Sequence, residues 1–145
     1  MLDCDGLPFA EALAARPFLV KPNQHELAQW CRRPLRSGAA LQKAALELSS
    51  RTQGWVLLSL GADGALLVHQ GEGFCQRAQP PRVTPRNTVG AGDAMLAAVV
   101  RQIVENAPPE DWLRQGVAAG SALTQCAAGE LPDVRSIGRL HRLVG

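Results

Sequence analysis

The sequence predicts an α/β protein built in layers, and three observations lead to that class. In the first half, short apolar runs bounded by Gly and Pro alternate with helical patterns. The second half reads as three consecutive helical segments. Between the halves, a turn made of Gly90, Ala91 and Gly92 opens an apolar helix that carries a carboxylate, Asp93, in its first turn.

The elements follow in order. "MLD" running into "CDG" has the pattern of the last residues of a buried strand entering a loop, whereas strands normally need about four to eight residues. The chain is therefore expected to begin inside a fold. Residues 8 to 16, "PFAEALAAR", start with Pro where a helix tolerates it and continue with helix formers. "PFLVKPN" is a short buried strand stopped by its second Pro. Asn23 is placed to cap the next helix, with Glu26 at the third helical position and Leu27, Trp30 and Cys31 recurring at intervals of three and four. Residues 38 to 51 form a clear amphipathic helix. "WVLLSLGADGALLVHQGEGFCQRA" supplies two apolar strand runs around Gly61 and Gly64, then a turn and a third strand. "QPPRVTPR" is too rich in Pro for an interior strand. "AGDAMLAAVVRQIVEN", "PPEDWLRQGVAAGSALTQCAAG" and "DVRSIGRLHRLV" are the closing helices, and the Ala, Gly and Ser of the middle one permit close packing against a neighbour or a flat ligand.

At 145 residues, with 46% hydrophobic and 19% charged side chains, the chain has the composition of one globular domain or part of one. The net charge of +2 comes from 15 basic and 13 acidic residues with no long run of one sign, so no nucleic-acid partner is expected. Cys4, Cys31, Cys75 and Cys126 make no CxxC pair and keep no metal spacing with His25, His69 or His141. Free buried thiols in a reducing cytoplasm are expected. The first residues lack the basic and apolar regions of a signal peptide, and no apolar run approaches the roughly 20 residues that cross a bilayer. Neither export nor a membrane partner is expected.

Three segments could carry chemistry. In "NTVGAGDAM" the absence of large side chains lets an anion approach the backbone, and the following helix aims its unpaired amides and positive dipole end at the same spot. The spacing is not that of a Walker A loop, and Met95 stands at the sixth position of the dinucleotide fingerprint. A nicotinamide-binding reading is correspondingly weak. Asp93 suits a base that accepts a proton from a hydroxyl while neighbouring amides stabilise charge on a transferred group. Alone, the segment is better described as a turn followed by a favourable first-turn acid. "KPNQHE" brings Lys21, Asn23 and Glu26 to the C-terminal end of a strand, the edge of an open α/β sheet where ligands collect, although a capped helix explains it too. "SLGADGALLV" puts Ser59, Gly61 and Gly64 into a tight turn between strands, either a plain hairpin or a phosphate-contacting loop.

Taken together and in this order, "LVKPNQHEL", "SLGADGAL", "NTVGAGDAM" and "GVAAGSA" resemble the ribokinase/PfkB family of carbohydrate kinases, and its phosphofructokinase branch in particular. The resemblance implies a ribokinase-like three-layer α/β/α fold, of which residues 1 to 145 correspond to the C-terminal, nucleotide-binding and catalytic half. It implies phosphoryl transfer from ATP, with Mg2+, to a hydroxyl of a phosphorylated hexose; a monovalent cation is left open. By motif position Asp93 is the base, and the amides of Gly90, Ala91, Gly92 and Asp93 form the anion hole. Asn23 and Glu26 correspond to an N-x-x-E pair governing magnesium through water, with Lys21 near the phosphates. Ser59, Gly61 and Gly64 correspond to the nucleotide loop, Thr88 lies beside the phosphates, and Val117, Gly120 and Ser121 line the adenine slot.

Departures from the family pattern are confined to a few places. Asn87 stands where many relatives carry Asp or Ser, and its expected job is to shape the loop. Ala94 replaces a common Ser, and "QCAAGELP" departs from the usual pattern after the adenine helix. The family's sugar-binding and lid residues lie mostly in its N-terminal half, so no sugar pocket is expected within this chain. Unpaired sheet edges would then favour a homodimer. The alternative reading is a catalytically silent nucleotide-binding or assembly fragment.

Overall fold

The computed structural model describes residues 11–145, so the expectations for "MLD", Cys4 and the start of the first helix lie outside the described residues. The chain divides into two compact units: one running to Gly61 and resuming over Ala65–Arg77, the other comprising Ala62–Gly64 and Ala78–Gly145.

The first unit is built on the strand sequence expected. A 3-10 turn, Leu13–Ala15, is followed by β1 (Leu19–Val20), α1 (Gln24–Cys31), α2 (Gly38–Thr52), β2 (Trp55–Ser59), β3 (Ala65–His69) and β4 (Phe74–Ala78). The sheet order is β1-β2-β3-β4. β1 and β2 are parallel because two helices intervene, whereas β3 turns back antiparallel on β2 with Val56 opposite Val68 and Leu58 opposite Leu66. Alternation along the strands sends Val20, Val56, Leu58, Leu66 and Val68 into one cluster with Leu27 of α1 and Ala44, Ala45 and Leu48 of α2. Leu19, Leu57 and Leu67 alternate with these and are also fully buried, which is why the strands read as unbroken apolar runs. Trp55 sets its ring edge-on to His69 and to Phe74, at centroid distances of 4.9 and 5.2 Å.

One buried hydroxyl ties this unit together. Ser49 Oγ donates to the Gly54 carbonyl at 2.6 Å and accepts from the Gln70 amide at 2.9 Å, linking the turn after α2 to the end of β3. Ser49→Ala deprives the buried Gly54 carbonyl and the part-buried Gln70 amide of this partner at once and should cost about 2 kcal/mol. Urea unfolding would read this as a lower midpoint; an unchanged midpoint would show that the bridge contributes nothing.

The second unit contains α3 (Ala91–Val104), α4 (Pro109–Thr124) and α5 (Val134–His141). Met95 and Val99 of α3, Leu113, Val117, Ala118 and Ala122 of α4, and Leu140 of α5 are buried. Pro109 opens α4 with Glu110 and Asp111 in its first turn, a favourable arrangement for both the missing donor and the dipole. Asp133 caps α5 by accepting from the Ser136 amide at 2.6 Å, which holds its carboxyl below the usual aspartate range. Backbone bonds exchanged between Gln79 and Gly145 fasten the final residue.

The helices stop earlier than their periodicity suggests. α3 ends at Val104 because Asn106 adopts a left-handed φ of 56°, and α4 ends at Thr124, whose carbonyl is claimed by the Arg86 and Asn87 amides. The thiol expectation is corrected in part. Cys31, Cys75 and Cys126 are free, but none is buried: Cys75 is exposed on the terminal strand β4, and the other two are half-buried. Partial burial raises the Cys31 thiol above its ordinary value, so it is no ready thiolate. Among the described residues, no helix is long and apolar enough to cross a membrane.

Candidate active site

In the first unit, β1 and β2 bring three of the expected residues to one end of the sheet. Asn23, just past β1, forms a parallel bridge with Ser59, the last residue of β2, and the Ser59 amide donates to the Pro22 carbonyl at 3.0 Å. Asn23 also starts α1 through a complete capping box: its Oδ1 accepts from the Glu26 amide at 2.9 Å, and the Asn23 amide donates to Glu26 Oε2 at 2.7 Å. A third bond runs from Asn23 Nδ2 to Glu26 Oε1, also 2.7 Å. Both carboxylate oxygens of Glu26 are thereby oriented by one neighbour. Lys21, at the end of β1, is buried, and Gly61 follows β2 with a φ of 63° at the start of a 3-10 turn. Gln24 joins the group unannounced by any motif, its Nε2 donating to the Leu60 carbonyl at 3.3 Å.

In the second unit, the glycine-rich turn adopts the geometry its residues allow. Gly90 is the N-cap of α3 with φ 82°, a conformation that costs glycine little. The Asn87 side chain accepts from the Val89 amide at 3.1 Å, shaping the loop as expected. The Ala94 amide makes the first helical bond, to Gly90, and the Ala91 amide turns back to Thr88 at 3.3 Å. Among the described residues, the Gly90, Gly92 and Asp93 amides have no acceptor, whereas the Ala91 amide is bonded to Thr88. The Asp93 side chain and Thr88 are both exposed at this helix start.

The residues expected to line an adenine slot pack within the second unit. Val117 and Ser121 are buried, and Ser121 Oγ donates to the Val117 carbonyl at 2.8 Å. Gly120 faces the first turn of α3. Gly64 belongs to the second unit, where its backbone lies against Ala78. A groove on the first unit runs along α2 between Lys43, Leu46 and Gln70, and contains none of the motif residues. Chemistry of the motifs, not concavity, marks the candidate site.

The first unit thus offers an α/β sheet edge bearing a capped Asn-Glu pair, and the second a glycine-started helix bearing an exposed Asp. The pfkB family carbohydrate kinase profile matches residues 2–134. The chain is 38% identical over 141 residues to a 1-phosphofructokinase of Xanthomonas campestris, covering 94% of this chain and 42% of that protein. It is 42% identical over 126 residues to the ATP-dependent 6-phosphofructokinase isozyme 2 of Escherichia coli, covering 86% and 40% respectively. Among solved structures, phosphofructokinase-2 from Escherichia coli in complex with potassium superposes with a TM-score of 0.89 at 37% identity, covering 95% of this chain and 45% of that one. Arabidopsis thaliana ribokinase complexed with ribose and ATP superposes at 0.75 and 29% identity, covering 86% and 40%. The chain belongs to the pfkB family of carbohydrate kinases and has the ribokinase-like α/β fold. It spans about two fifths of the length of the curated relatives it matches.

Proposed function

We propose that this chain carries the nucleotide-binding and phosphoryl-transfer residues of an ATP-dependent sugar-phosphate kinase of the phosphofructokinase type. The observation that carries the reading is the start of α3: a left-handed Gly90, the Gly90, Gly92 and Asp93 amides without acceptors among the described residues, and an exposed carboxylate at Asp93. Asp93 accepts the proton of the attacking sugar hydroxyl, and the Gly92 and Asp93 amides stabilise charge on the phosphoryl group as it moves from ATP to that oxygen, leaving ADP. Gly90 has no side chain and Ala91 only a methyl, which keeps the approach open. Thr88 and Lys21 contact phosphate oxygens. Ser59, Gly61 and Gly64 follow the nucleotide, and Val117 and Ser121 lie on the helix nearest the adenine.

The donor set suits magnesium bound indirectly. Among the described residues no three His, Cys, Asp or Glu side chains gather, and magnesium normally keeps several waters and its substrate's phosphates as ligands. Glu26 offers hard oxygens already oriented by Asn23, with lone pairs left for metal-bound water. When bound, the ion neutralises charge on the phosphates. Glu26→Gln removes one charge-assisted contact, and the magnesium concentration giving half-maximal rate should rise about tenfold. A superimposable magnesium titration would remove Glu26 from this role.

The direct test supplies the purified protein with ATP, magnesium and either fructose 6-phosphate or fructose 1-phosphate. ADP release that depends on one of the two sugars is expected. ATP binding without sugar-dependent ADP release would describe a silent nucleotide-binding module instead.

A further inference from the structure

We infer that Gly120 is a positioning residue that seats the phosphoryl-transfer turn, an inference that rests on the function proposed above. A Cβ at Gly120 would lie 3.1 Å from the Ala91 carbonyl oxygen and 3.7 Å from Cβ and Cε of Met95. Ala91 is the first residue of α3, one position before the Gly92 amide. Its carbonyl is backbone, so it yields only if the whole first turn moves. The other anchors of that turn also come from the end of α4. Leu123 Cδ2 lies 3.2 Å from where a Gly90 Cβ would stand, and the Thr124 carbonyl accepts from the Arg86 and Asn87 amides at 2.6 and 3.1 Å. The last two turns of α4 thus fix where the unpaired amides point.

Gly116, one turn earlier, is the natural comparison. Its Cβ would meet Val99 Cγ2 at 2.8 Å, Met95 Cγ at 3.2 Å and the Met95 carbonyl oxygen at 3.3 Å. The two nearest are side-chain atoms that can rotate away at a cost in packing, and the carbonyl lies a full turn along α3 from Ala91, so any shift it forces falls away from the cradle.

The test compares Gly120→Ala with Gly116→Ala. Misplacing reacting groups by about 1 Å costs about a hundredfold in rate, so a shift of a few tenths of an ångström at the cradle should lower kcat about tenfold. The KM for ATP should stay within about twofold. Gly116→Ala should lower the thermal midpoint while kcat stays within about twofold. A raised KM for ATP with unchanged kcat in Gly120→Ala would make Gly120 a wall of the nucleotide pocket and overturn the inference, as would equal kinetics in both variants. Amide resonances provide a readout independent of activity: Gly120→Ala should displace the Gly92 and Asp93 signals further than Gly116→Ala does. If the parent protein transfers no phosphoryl group, the proposed function fails, while the resonances still decide whether Gly120 seats the turn. Should Gly120→Ala not fold, Leu123→Val loosens the same turn through Gly90 and is expected to give the same separation of kcat from KM.

Discussion

Asp93→Asn should lower turnover at saturating ATP and sugar phosphate by at least about a hundredfold, the low end for a lost general base, while the KM for ATP stays within about twofold. Asparagine matches aspartate in size, so the first turn of α3 is preserved. No hydrogen bond from the Asp93 side chain would be broken among the described residues. The Gly92 and Asp93 amides remain to hold the phosphoryl group. Only the capacity to take the hydroxyl proton disappears. Steady-state rates at several ATP concentrations separate the two parameters, and equal turnover in parent and variant would end the assignment of Asp93 as base.

The second large effect concerns stability. Gly64→Ala should destabilise the protein by at least about 3 kcal/mol, because two penalties coincide at this position. The φ of 90° is one that side chains rarely adopt, and an added Cβ would lie 2.0 Å from the Ala78 carbonyl oxygen and 3.0 Å from Pro80 Cδ. Neither neighbour can rotate aside, since one is backbone and the other a ring atom. The thermal midpoint should fall by roughly 10 °C. A midpoint equal to that of the parent would contradict the close approach of the two backbones.

The features legible in the sequence are those whose physics is local. Asn23 and Glu26 are three residues apart, and the capping box they form depends on nothing further along the chain. The glycine-started helix is local in the same sense, because Gly90 needs only its own freedom at positive φ. The strands showed themselves as apolar runs between turn residues, since burial on both faces removes the alternation that would otherwise mark them.

What escaped depends on contacts between distant positions. Nothing in the spacing around Thr124 announces that its carbonyl will collect the Arg86 and Asn87 amides and end α4 there. Gly64 reads as a nucleotide-loop glycine, yet the approach of Ala78 already demands it on structural grounds. Cys75 lies in an apolar-looking segment and is exposed because β4 is the terminal strand of the described sheet. Tertiary packing, not local propensity, decided each of these cases.

The central claim is that the amides opening α3 hold the group in transfer. Titrating isotopically labelled protein with magnesium and a non-hydrolysable ATP analogue, and following amide resonances, tests it without requiring turnover. The account predicts that the Gly92 and Asp93 signals move together and saturably with the analogue. Saturable binding that shifts signals elsewhere and leaves these two in place would contradict it.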